Sequence, residues 1–494
     1  MKTVSSTELD FIDLLLEKLI GGREGPRAYR CAVLDRFGVD LSTASFGDCL
    51  PLPIGVAPAT YSHYPRQVEK LARIGFPFIG LKTVVAEDST GNSSLEKYFR
   101  GNARNPDKVM LAYPVFLTGE RGSALPLNKY IREVLRPCLE IASKRGIFVT
   151  PSIVGPSFGG KSVRSAENEW THTTEVLLRE INKADNGGDA PSCTSIGLDF
   201  PPYLSEEFDF AESTKVISDK YMSFVENVVR PFNIVSSAAR CILPEREFHA
   251  LPKINYEMIP VLKVILNGIS RRGKPGFIGF GRAMGIHIDP FTLEPASSAF
   301  GGPEHLLRNI FTYKALGVDV DYEASYTGGV VTGGDAVAAF ACGNISRVEM
   351  VSSFYFHGIR NSYKRVLGGL TAFMVHLHRT CPDKYGFNVD TVRDLNLKAF
   401  QPSVDAAFGK RLRVSKKAFV AVVDRKKCRD CRQTTAGLKR GVCMALDLCP
   451  GFAFKRKISR GKGYYVVNSD KCLGCGTCVP VSSSCGAVRL IARI

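Results

Sequence analysis

Eight cysteines crowd into the last 67 of the 494 residues: Cys428, Cys431, Cys443, Cys449, Cys472, Cys475, Cys478 and Cys485. Cys472, Cys475 and Cys478 form a CxxCxxC run, and Cys449 is followed at once by Pro450. Thiolates at two-residue intervals on a tight turn can hold neighbouring irons of one iron–sulfur cubane, with a distant cysteine closing the site. A zinc site takes four ligands and gains nothing from a third cysteine at the same interval. Structural disulfides belong to oxidising compartments, and the chain opens MKTVSSTELDF without an apolar leader, so a cytoplasmic location is expected. The other cysteines, Cys31, Cys49, Cys138, Cys193, Cys241, Cys342 and Cys381, are scattered and read as buried thiols.

The octet resembles the cysteine pattern of bacterial two-cluster ferredoxins, in which each cubane takes its fourth ligand from the other motif's Cys-Pro. That resemblance implies two [4Fe-4S] clusters. Cys449 would complete the one begun by Cys472, Cys475 and Cys478, while Cys485 would join Cys428, Cys431 and Cys443. The spacing departs from the regular pattern: eleven residues separate Cys431 from Cys443, five separate Cys443 from Cys449, and six separate Cys478 from Cys485. The cluster holding Cys443 and Cys485 is therefore the less regular one.

The net charge is +17, and seventeen Lys or Arg stand against four acidic residues between Asp405 and Tyr465. A basic cluster module suits docking to an acidic electron carrier, a partner redox subunit or an anionic substrate. No nucleic-acid-binding motif accompanies the charge, and no stretch reaches the ~20 apolar residues of a membrane helix. An oligomer or hetero-complex is expected, with neither nucleic acid nor membrane insertion.

From Leu52 to about His378, short runs rich in Val and Ile alternate with longer helical patterns, as in parallel βα units. Eight strands are expected at 54–58, 78–83, 147–153, 195–199, 232–236, 276–280, 321–327 and 347–352. Helices are expected at 64–74, 127–144, 174–183, 206–229, 256–270, 303–316, 335–342 and 361–378. Eight such units make a (βα)8 TIM barrel, whose chemistry gathers at the C-terminal ends of its strands. The predicted fold class is α/β, a TIM barrel followed by a small α+β two-cluster ferredoxin-like domain. The expected divisions are a helical extension at 1–49, the barrel at 50–380, a linker at 381–420 and the cluster module at 421–494. In the extension, Leu9, Phe11, Ile12, Leu15, Leu16, Leu19 and Ile20 share one helical face that would cover the barrel or a partner. Thr327-Gly328-Gly329 after the seventh strand, with Ser352-Ser353 after the eighth, has the placement of a TIM-barrel phosphate site.

The segments LPIGVAPA, YPRQVEKLARIGFPFIGLKT and YTGGVVTGGDAVAAFACGNISRVEMVSSF resemble the FMN-binding barrel of the dihydroorotate and dihydropyrimidine dehydrogenase family. Barrel and tail together are similar to the pyrimidine-reducing subunits of that family. The resemblance implies FMN contacts at Ala57 and Ala59, at Lys82 and Thr83, and at Gly328, Gly329, Ser352 and Ser353. A cation such as Lys82 near the flavin N1–C2=O edge would stabilise the anionic reduced form.

The chain also departs from that family. Pyrimidine-acting members end the fourth strand in an NxSCP-like segment, whose Asn holds the ring and whose Cys serves as the acid or base; here Gly197-Leu198-Asp199-Phe200-Pro201 stands in its place, without the amide and with a Phe at the position of the proton donor. Gly281-Arg282 replaces an Asn-Thr pair on strand six, and the strand-five lysine is expected to be lost in 233–236. Unpaired polar edges in a pocket cost orders of magnitude in affinity, so pyrimidine reduction is not expected. Asp199 stands nearest the acid/base position and is equally placed to cap the turn before Pro201-Pro202. Arg282 can clamp an anionic group or pair with a carboxylate. His287, Asp289 and Glu323 are further polar groups near the strand ends. The expected function is an iron–sulfur flavoprotein oxidoreductase acting on a small non-pyrimidine substrate. The alternative is an electron-transfer or scaffold subunit whose barrel has lost its chemistry.

Overall fold

The computed structural model describes residues 4–95, 109–112, 115–118, 125–158, 163–185, 192–199, 214–254, 262–270, 276–279, 283–288, 295–301, 322–341, 344–380, 419–424, 428, 454–459, 462–469 and 487–492. Among them, parallel strands close a ring. In chain order the barrel strands are Ile54–Val56, Phe78–Gly80 continued by Val84–Val85, Phe148–Thr150 continued by Ser152–Val154, and Ser195–Asp199. They are followed by His249–Ile254, Gly276–Gly279, Glu323–Thr327 and Ile345–Met350. Each strand pairs with the next, and the eighth returns to the first through Met350 opposite Val56. The second and third strands are each interrupted, the third at Pro151, yet Gly80 opposite Thr150 and Val84 opposite Ile153 keep one pairing across the breaks.

The fifth strand is not the one expected. Residues 232–236 lie inside the helix Thr214–Ile242, and the strand is His249–Ile254. Val225, Val228, Phe232, Val235 and Ala239 are buried at intervals of three and four, the period of a helix face. The true strand carries Pro252, which lacks an amide donor and makes a central strand hard to recognise.

Helices Pro65–Ile74, Val163–Asp185, Thr214–Ile242, Leu262–Ser270, Gly333–Phe340 and Ile359–Thr380 follow their strands, with residues 127–145 forming the helical return after the second. The expected helix at 303–316 lies outside the described residues. An antiparallel sheet joins Val109–Ala112 and Val115–Thr118, from the excursion after strand two, to Ala283–Ile288 and Pro295–Gly301, from the excursion after strand six. No described helix is long and apolar enough to cross a membrane.

The amphipathic helix Ser6–Ile20 covers the barrel. Ser5 and Glu8 cap it reciprocally, and Ile12, Leu15, Leu16, Leu19 and Ile20 are buried. Its approach depends on two glycines: a Cβ on Gly75 would meet Leu19 Cδ1 at 2.5 Å, and one on Gly368 would meet Leu16 Cδ1 at 2.7 Å. The expectation of buried thiols holds for Cys138 and Cys193, whereas Cys31, Cys49 and Cys241 are exposed. Cys342 and Cys381 lie outside the described residues.

A hairpin of Thr43–Ser45 and Asp48–Leu50 plugs the N-terminal end of the barrel. Phe46, at φ 50, turns its ring inward, where Gly276 leaves the space: a Cβ there would lie 2.8 Å from the ring. The Phe46 amide donates to Glu323 Oε1 at 2.7 Å, Ser45 bonds Ser346 at 2.9 Å, and Thr194 donates to Asp48 at 2.5 Å. Glu323 thus belongs to the floor and not to the mouth.

Candidate active site

Register brings the two glycines and the serine pair together. Thr327 lies opposite Glu349, so the loops that leave strands seven and eight start side by side. Gly328 and Gly329 have φ of 97° and 77°, where any Cβ is strained, and this requires glycine at both positions. Thr332 then caps the helix Gly333–Phe340, and Asp335 accepts from the amides of Val331 at 3.0 Å and Thr332 at 2.8 Å. On the facing loop Ser353 is fully buried, and its Oγ has no hydrogen-bond partner among the described residues. Its carbonyl accepts from Ser362 Oγ at 2.9 Å, so the backbone is held while the hydroxyl is left over.

Arg365 adds positive charge to this corner and carries no motif in the sequence. Burial pushes the Asp335 carboxyl up, opposed by the hydrogen bonds from Val331 and Thr332 and by Arg365. Burial, assisted by Arg365, pushes the His357 imidazole down to about 4. Arg365 therefore acts electrostatically on groups from both loops.

Around the rim, Ala57 donates its amide to Met350 at 3.3 Å, and Ala57 and Ala59 are small and buried. Lys82 and Thr83 occupy the break in strand two, and both are buried. The Lys82 amide donates to Ser62 at 3.2 Å, and Tyr130 OH donates to the Lys82 carbonyl at 3.2 Å, which fixes the backbone there.

Strands two, four and five meet through side chains. Lys253 Nζ lies 3.0 Å from Asp199 Oδ2 and donates to Thr83 Oγ1 at 3.4 Å, while Thr83 Oγ1 donates to the same Asp199 oxygen at 3.3 Å. The strand-five lysine expected to be missing is therefore present, and the misplacement of that strand had hidden it. Gly197 explains the missing amide. A Cβ there would meet Ser152 Oγ at 2.6 Å and Lys253 Cε at 3.5 Å, so the barrel holds a serine and a lysine stem where an Asn would project.

Below this cluster the interior stays charged. Ser325 Oγ donates to Glu349 Oε1 at 2.6 Å, and Arg347 Nε, 3.5 Å from the same oxygen, lies in a guanidinium stacked 3.5 Å from the Phe78 ring centroid and 4.7 Å from that of Phe46. Burial pushes the Glu349 carboxyl up, against Arg347, Ser325 and Lys253, which favour the carboxylate. Burial likewise pushes Arg347 down, opposed chiefly by Glu349 and Asp48.

Of the cysteine octet, Cys428 is described. It is half-buried, its amide donates to the Asp424 carbonyl at 2.8 Å, and its Sγ accepts from the Tyr465 amide at 3.4 Å. Cys431, Cys443, Cys449, Cys472, Cys475, Cys478 and Cys485 lie outside the described residues, as do Arg282 and Asp289. His287 lies in the strand Ala283–Ile288 of the antiparallel sheet and not in a strand of the ring. Phe419–Val423 pairs antiparallel with Val488–Ala492, and Phe454–Ser459 with Lys462–Val467.

No protein-family model matches the chain, and no curated protein matches it. Among solved structures it is similar to the crystal structure of DHODH from Eimeria tenella in complex with ferulenol, at 14% identity and a TM-score of 0.49, over 77% of this chain and 93% of that one.

Proposed function

We propose that the chain is an iron–sulfur flavoprotein oxidoreductase that binds FMN at the barrel mouth and acts on a small organic substrate other than a pyrimidine. The observation that carries this reading is the buried Ser353 hydroxyl, without a hydrogen-bond partner among the described residues, on the loop that leaves strand eight next to the one that carries two positive-φ glycines. A buried hydroxyl without a partner costs about 1–3 kcal/mol, and a phosphate at the seven–eight corner would relieve it. Gly328, Gly329, Ser352 and Ser353 would hold that phosphate, Ala57 and Ala59 would leave room for the ring system, and Lys82 with Thr83 would lie along it. Bound FMN would exchange a hydride equivalent with the substrate and pass electrons singly to the clusters. Arg282 is proposed to meet the substrate and Asp199 to serve the site through its pairing with Lys253, and the converging Thr83, Asp199 and Lys253 argue against a barrel stripped of its chemistry.

The strand order supports two clusters at 421–494. Cys428, Cys431, Cys443 and Cys449 fall between the strands Phe419–Val423 and Phe454–Ser459. Cys472, Cys475, Cys478 and Cys485 fall between Lys462–Val467 and Val488–Ala492. The outer strands pair with each other, as do the inner ones, so each half repeats strand, four cysteines, strand. The N–H···S bond from Tyr465 to Cys428 is the kind that supports a cluster thiolate. The electron partner would be an acidic one-electron carrier, because residues 454–467 hold five basic side chains and no acidic one. Photoreduction of anaerobically purified protein tests the reading. Bleaching of a flavin band, followed by reoxidation by an acidic ferredoxin, is expected; a spectrum that lacks flavin would remove the proposal.

A further inference from the structure

Asp199 is held where a carboxylate faces an ammonium, and this points to work other than donating a proton. Its Oδ2 accepts from both Lys253 Nζ, at 3.0 Å, and Thr83 Oγ1, at 3.3 Å, while Lys253 also donates to Thr83 at 3.4 Å. The three residues come from three strands of one ring, and both charged side chains are mostly shielded, at 14% exposure for Lys253 and 17% for Asp199. Resting on the FMN reading above, we propose that Asp199 is a positioning residue that pins Lys253 and offsets its charge, and thereby sets the reduction potential of the flavin.

Asp199 binds Lys253 Nζ, while at Gly197 it is Ser152 that excludes a side chain, since a Cβ would meet its Oγ at 2.6 Å and only touch Lys253 Cε at 3.5 Å. Lysine is a flexible point charge, so its position at a mouth depends on what holds it. Thr83 and Asp199 hold it from strands two and four. Glu349 on strand eight lies within electrostatic reach of Lys253, with Arg347 Nε 3.5 Å from its Oε1.

The consequence for a bound flavin is a matter of charge. A lone ammonium at the mouth favours the anionic reduced form, and an ammonium paired with a carboxylate favours it less. Removing the Asp199 charge should leave the Lys253 charge less offset and make reduction easier. Removing Lys253 should do the reverse. If Asp199 acts through Lys253, its effect should shrink once the lysine is gone.

The experiment equilibrates the full-length flavin-loaded protein with redox dyes under photoreduction and compares wild type, Asp199→Asn, Asp199→Glu, Lys253→Met and the Asp199→Asn/Lys253→Met double variant. Asp199→Asn is expected to raise the reduced-to-oxidised flavin ratio at fixed dye potential about tenfold, which is about 30 mV for a two-electron couple. Asp199→Glu is expected to stay within about threefold of wild type, because it keeps the charge. In the Lys253→Met background the Asp199→Asn shift should fall below half its size. A shift equal in both backgrounds would overturn the proposal, since the carboxylate would then act on the flavin directly. Bound flavin whose potential does not move in Asp199→Asn overturns this inference alone, whereas wild type that takes up no FMN overturns both it and the flavin reading.

Discussion

Replacing Ser353 by Ala should have opposite effects on the empty and the FMN-loaded protein. The hydroxyl is fully buried and has no partner among the described residues, while the Ser362 bond to the Ser353 carbonyl survives the change. In the empty protein the substitution removes a polar atom that gains nothing, so stability should hold or rise, by at most about 1–3 kcal/mol. With FMN bound, the same atom would donate to a phosphate, a charge-assisted bond worth about 1.5–3 kcal/mol. The Kd for FMN should therefore rise about 10- to 150-fold. Denaturant unfolding of the apoprotein measures the first effect, and fluorescence-quenching titration with FMN measures the second. An apoprotein that loses more than about 1 kcal/mol while FMN affinity stays unchanged would show the hydroxyl to be structural and would refute the reasoning.

Other expectations concern the floor, the mouth and the module. Burial pushes the Asp48 carboxyl above its ordinary 3.8 to about 6, against the hydrogen bond from Thr194 and the charge of Arg347. The folded chain therefore binds this proton more tightly than the unfolded chain, and stability is lost as pH rises from about 4 to about 6. Asp48→Asn keeps an acceptor for Thr194 and lacks the charge, so unfolding curves should show it losing up to about 3 kcal/mol less over that window than wild type; identical pH slopes would contradict this. Gly197→Asn should destabilise by about 1–3 kcal/mol because its Cβ meets Ser152 Oγ, and pairing it with Ser152→Ala should recover part of the loss in thermal unfolding. Lys455 and Lys457 are exposed on the hairpin that reaches Cys428 through Tyr465. Charge reversal at both should slow stopped-flow reduction by an acidic ferredoxin at least tenfold at low salt, with iron content unchanged; a salt-independent rate in wild type would argue against electrostatic docking.

Most of the barrel was legible because its strands are short apolar runs with strong periodic partners. Ser195–Asp199 alternates Ile196 and Leu198 with small or polar residues and matches its expected bounds to the residue, and the Gly-Gly and Ser-Ser loops follow from counting strands. The fifth strand was misplaced where two local signals conflict: Ile234 and Val235 are β-branched residues in a helix, and Pro252 sits in a central strand. That single error concealed Lys253 and made the site look poorer than it is. The floor hairpin was not anticipated, since Phe46-Gly47 gives a turn signal without saying which cavity the ring fills. Neither Arg365 nor the buried hydroxyl of Ser353 has a sequence signature, because both depend on what the fold brings beside them.

The most direct test of the account is the cofactor content of the anaerobically purified full-length chain, by chromatography of acid-released flavin together with iron and sulfide analysis. The account predicts about one FMN per chain and about eight irons matched by sulfide. Protein that neither carries FMN nor binds it when it is added would contradict the central claim, whatever its iron content.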